Sequence, residues 1–124
     1  MERDLSTALQ RAIEVGDQVL TAEVMPPRGA DPSHMLAMAA SLQGRVHAVN
    51  VTDGSRAVMR MSSLASCKLL LEAGLEPVLQ MACRDRNRIA LQADLLGAHA
   101  LGSATCCVSQ VIQCGRAIRR MLGR

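Results

Sequence analysis

Three histidines, five cysteines, a scatter of carboxylates and a run of arginines are the side chains here that could hold a metal, attack a substrate or move a proton. His34, His47 and His99 stand at no ligand spacing to one another or to Cys67 and Cys83, so no metal site is expected. Cys106 and Cys107 are adjacent, without the Cys-x-x-Cys spacing of redox and zinc motifs, and read as unpaired thiols. Arg84, Arg86 and Arg88 alternate with Asp85 and Asn87 and read as a solvated loop and helix start, with a phosphate clamp as the minor alternative. Met35, Met38, Met59 and Met61 read as packing. Three further places lie at the ends of apolar runs: Glu23 in E-V-M-P-P, Thr52, Asp53 and Ser55 in N-V-T-D-G-S, and Gln80 in P-V-L-Q-M-A-C-R. Taken alone, the first is a strand-terminal acid beside a Pro-Pro turn and the second an Asp-Gly turn.

The elements that must position these residues alternate in type. Residues 1–18 predict an amphipathic helix with Leu5, Leu9, Ile13 and either Ala8 or Ala12 facing inward. Residues 19–27, VLTAEVMPP, predict a strand stopped by two prolines, which cannot donate to a ladder. A helix over 30–44 opens at Asp31-Pro32 and stops at Gly44, with Met35, Leu36, Met38, Ala39 and Leu42 on one face. Residues 46–54 predict the second strand and 61–74 the next helix, with Leu64, Cys67, Leu70 and Leu71 on its buried side. Residues 76–84 give the third strand and 85–102 the third following helix, capped by Asp85. This order is the signature of βα repeats on a parallel sheet. After Gly102 the pattern allows only a brief strand around Cys106 to Ile112 and a basic helical turn, with no crossover helix.

The 124 residues suffice for one domain, and 49% hydrophobic against 20% charged residues argue for a folded chain. Phe, Tyr and Trp are absent, which excludes the aromatic stacking platforms used on single-stranded nucleic acid. No run reaches the roughly 18 apolar residues of a membrane span, and the charged start leaves no signal-peptide core, so a cytoplasmic protein with reduced thiols is expected. The net charge of +3 is unevenly placed: Met1 to Gly102 carries 10 basic and 11 acidic residues, whereas Ser103 to Arg124 carries four Arg and no acid. A boundary at Gly102 follows, separating residues 1–102 from a basic tail, 103–124.

The three marked segments, at their spacing and in their order, resemble methylenetetrahydrofolate reductase, with residues 19–102 covering its first three βα units. The Gln-Met of strand three is similar to the bacterial forms; many other members have His-Leu-Thr-Cys there. The resemblance implies a partial TIM (β/α)8 barrel, about three βα units with an N-terminal helix. It also implies FAD as cofactor, a folate substrate, and NAD(P)H or another electron donor as partner, in the reduction of 5,10-methylenetetrahydrofolate to 5-methyltetrahydrofolate. Active sites of such barrels gather at the C-terminal strand ends, where all three segments fall.

By the same resemblance Glu23 takes the place of the acid that handles the proton, a task that needs a carboxyl in a partly desolvated pocket. Thr52 is implied as a flavin- and nicotinamide-side contact, Asp53 and Ser55 as neighbours of the cofactor, and Gln80 as the stand-in for a flavin-contacting His. Gln80 keeps donor and acceptor capacity but cannot titrate.

The family continues into a fourth strand ending in Gly-Asp, where this chain reads SATCCVSQVIQC. Permissible codons across Ser103 to Gly123 yield a Gly-Asp segment in a shifted frame, so 103–124 is expected to be an out-of-frame tail. With a barrel needing roughly 250 residues, the isolated chain is expected to be an inactive, truncated reductase. The alternative is a small α/β interaction module, with a basic tail for an anionic partner or a complementing chain that completes the sheet.

Overall fold

The computed structural model describes residues 7–109. Four parallel strands form one sheet in the order β1 (Thr21–Val24), β2 (Ala48–Val51), β3 (Pro77–Ala82), β4 (Thr105–Ser109). Helix α1 (Ala8–Val15) precedes β1, and α2 (Ser33–Ala40), α3 (Ser63–Glu72) and α4 (Arg88–Ala100) make the three crossovers. The arrangement is a mixed α/β fold compatible with part of a TIM barrel, as the βα alternation predicted.

Strand alternation divides the sheet into two faces. Val24, Val49, Val51, Leu79 and Met81 point to the helices and join Met35, Ala39, Cys67, Leu70 and Ala98 in the core. Thr21, Glu23, Asn50, Val78 and Gln80 occupy the opposite face. Glu23 and Asn50 are register partners on adjacent strands.

Each helix start has a local cause. Thr7 Oγ1 accepts from Gln10 N at 3.0 Å, Ser62 Oγ from Ala65 N at 3.2 Å, and Asn87 Oδ1 from Ala90 N at 2.9 Å. The α4 cap is thus Asn87 and not Asp85, whose carboxylate is taken by the Arg84 guanidinium at 2.8 Å while the helix begins at Arg88. At α2 the Asp31 carboxylate accepts from both the hydroxyl and the N–H of Ser33, bonds that hold it below the usual carboxylate range.

Two inward faces differ from the periodic reading. In α1, Ala12 is buried and Ile13 is 62% exposed, and the helix start is tied to the residue before β3, with Ala8 N donating to Glu76 Oε2 at 3.0 Å. Leu9 is half-buried, and Leu5 lies outside the described residues. In α2 and the turn after it, Met35 and Ala39 are fully buried and Leu36 and Leu42 pack partly buried against the core, as expected, but Met38 turns to solvent. The strand after Gly102 forms more fully than its composition suggested: Thr105–Ser109 pairs along β3 from Val78 to Ala82. The expected residues 110–112 lie outside the described ones.

Candidate functional site

The C-terminal ends of β1, β2 and β3 are joined by hydrogen bonds that fix the three marked segments relative to one another. Pro26 and Pro27 end β1, and their carbonyls accept from Arg60 Nη1 at 2.9 Å and Met61 N at 2.8 Å, which pins this turn to the loop after β2. Thr52 N donates to Val24 O at 3.3 Å, continuing the β1–β2 ladder one residue beyond the strand.

Asp53 is the hub. Its Oδ2 accepts from Ala82 N at 2.8 Å and from Arg86 Nη1, and its Oδ1 from Arg86 Nη2 at 3.3 Å. Arg86 also donates from Nη1 to Ala82 O at 3.1 Å and from Nε to Asp94 Oδ2 at 3.3 Å. The hydrogen bond to Asp53 is the main reason the Arg86 guanidinium is held above its ordinary value. Arg86 is therefore no solvated loop residue; with 17% side-chain exposure against 13% for Asp53, the pair is largely enclosed. The sequence signal was the acid at the end of strand two and the arginines after strand three, but nothing local pairs residues 33 positions apart.

Glu23 is exposed, beside Asn50 on the next strand and two strands from Gln80, which lies two residues beyond the register partner Val78. Asn50 Nδ2 donates to Thr21 Oγ1 at 3.3 Å. Gln80 is half-buried, and its backbone carbonyl accepts from Ser63 Oγ at 2.8 Å, anchoring β3 to α3. Thr52 is buried, at 6% exposure, and its Oγ1 has no hydrogen-bond partner. Ser55 opens a single 3-10 turn, Ser55–Ala57, where Arg56 and Ala57 take left-handed backbone angles of φ 60 and 58.

The structure thus puts Glu23 and Gln80 on one sheet face, Thr52 immediately after β2, and Asp53 in a pair with Arg86. Among the described residues no group of three or more His, Cys, Asp and Glu is placed to hold a metal ion, and no helix is long and apolar enough to cross a membrane. The buried Thr52 hydroxyl is an orphan, and orphaned buried polar atoms call for a partner.

A parallel sheet of four strands alternating with helices is compatible with part of a TIM barrel. The family model for methylenetetrahydrofolate reductase matches residues 8–106, and the chain belongs to this family. Members of the family are TIM barrels and generally bind FAD. No curated protein matches the chain.

Proposed function

We propose that this chain carries the proton-donating part of an FAD-dependent methylenetetrahydrofolate reductase site, acting in the cytoplasm on 5,10-methylenetetrahydrofolate. The observation that carries the reading is the shared face of Glu23, Asn50 and Gln80 with the orphaned Thr52 hydroxyl at its rim. Glu23 donates a proton to the folate nitrogen that leaves the methylene carbon. Thr52 and Gln80 orient the cofactor by hydrogen bonds, and Ser55 borders it. Asp53 acts as a positioning residue, holding the β2 and β3 ends in register through Ala82 and Arg86. FAD, when bound and reduced with electrons from NAD(P)H or another donor, supplies the hydride.

The 124-residue chain alone is proposed to be inactive. Glu23 is exposed, so the enclosure that proton donation requires must come from further strands, of which a barrel has eight. A second reading, a module completed by another chain, is favoured by β1 and β4 each having an unpaired edge among the described residues. Residues 103–124 are proposed to be read out of frame, which sequencing codons 100 to 125 decides.

The test is a chimera in which residues 7–102 replace the first three βα units of a full-length family member. Flavin absorbance should be retained, and Glu23→Gln should lower kcat by about 10²-fold or more without loss of flavin. Unchanged kcat in that variant removes Glu23 from the mechanism. Methylenetetrahydrofolate turnover by the 124-residue chain alone overturns the proposed inactivity.

A further inference from the structure

A cleft of about 320 Å³ opens between the loops that follow β2 and β3, and neither Glu23, Thr52 nor Gln80 lines it. Its wall includes Gly54, Ala57, Met59, Arg60, Arg84 and Asp85, with the Asp53 hub at its edge. The charges in this wall are unequally partnered. Asp53 is satisfied by Arg86 and Ala82 N. Arg84 donates to Asp85 Oδ2 from Nε at 3.0 Å and from Nη2 at 2.8 Å, and to Gly54 O from Nη2 at 3.0 Å.

Arg60 has no carboxylate. Its hydrogen bond runs from Nη1 to Pro26 O at 2.9 Å, its Nε is buried without a partner, and no ion pair joins it to any described residue. A guanidinium offers five N–H donors in a fixed fork that matches an oxyanion. Leaving most of them idle in a half-buried position is unfavourable, because a desolvated cation is stable only when paired.

We propose that this cleft binds a small organic anion through a carboxylate or phosphate group held by Arg60, with Arg84 as the second cation. The oxyanion supplies the negative charge that Arg60 lacks. Arg84 can share its N–H groups because Asp85, at 66% side-chain exposure, is an ion-pair partner open to water. Met59, 76% exposed, offers an apolar wall for the organic part of the ligand.

The inference does not depend on the flavin reading and is tested on the chain as it stands. Calorimetric titration with inorganic phosphate and, separately, with glutarate, against sodium chloride at matched ionic strength, should give saturable binding to at least one oxyanion. The arm that binds more tightly identifies phosphate or carboxylate as the recognised group. Arg60→Gln should weaken binding about tenfold or more. Met59→Glu, a change at an exposed position, should weaken it comparably by charge repulsion while leaving the unfolding midpoint near that of the parent. Arg45→Gln, exposed at the opposite end of the sheet, should change neither. The proposal is overturned if neither oxyanion binds saturably, if chloride does equally well, or if Met59→Glu binds as the parent does. Met59→Glu decides the matter if Arg60→Gln fails to fold.

Discussion

Cys67 is fully enclosed by α3 and the sheet, and burial pushes its thiol up to about 12 from an ordinary 9.0, with Cys106 adding a smaller push. The sign of the consequence is fixed by which state holds the proton. The folded chain retains it where the unfolded chain ionises, so this contribution to stability is complete below about pH 9 and drains as pH rises toward 12. Cys106 shifts in the same direction through its own burial. Cys67→Ala should therefore lose about 1 kcal/mol or more at neutral pH from the emptied volume, yet flatten the alkaline fall in the urea midpoint. An alkaline limb of parental steepness in that variant would show that Cys67 does not drive it. At this scale the sequence read Cys67 correctly as a core thiol from its place on the apolar face of α3. It could not read the ion pair of Asp53, because the partner, Arg86, lies far along the chain.

The elements were the most legible level, since periodicity and breakers act locally. Pro26-Pro27 stops β1, the serine before α3 caps it, and the three βα alternations follow in the expected order. What escaped is long-range. Asn87 took the α4 cap from Asp85 because Arg84 competes for the carboxylate, and β4 formed because β3 offers a parallel edge that residue composition does not reveal. The junction between elements is Arg86, which ties the end of β2 to the end of β3 and to Asp94 on α4. Removing it leaves the enclosed Asp53 carboxylate facing only Ala82 N. Arg86→Met should cost about 3 kcal/mol in denaturant unfolding. The double variant with Asp53→Asn should cost less than the two single losses combined, as expected for partners in one network. Additive losses would mean that the two side chains act independently.

At the scale of the whole molecule, the two sheet edges stand open among the described residues, and so does the outer side of α4. Ile89 and Leu96 lie seven residues apart on that helix, hence on one side, at 70% and 74% exposure. Val108 on the β4 edge strand adds a further apolar side chain at 49%. In a closed barrel the next βα unit covers such a helix flank and pairs the strand edge. Unpaired parallel edges beside apolar helix flanks favour self-association. The 124-residue chain should accordingly show concentration-dependent sedimentation in the range of tens to ~100 μM. Ile89→Glu with Leu96→Glu should move it toward a monomer of 13.2 kDa, because charge on the helix flank opposes burial without touching the core. A chain that sediments as a monomer across that range would mean that its apolar surface and strand edges are not adhesive. An associating chain unaffected by the two glutamates would place the contact on the strand edges, and Val108→Lys should then be the change that disperses it.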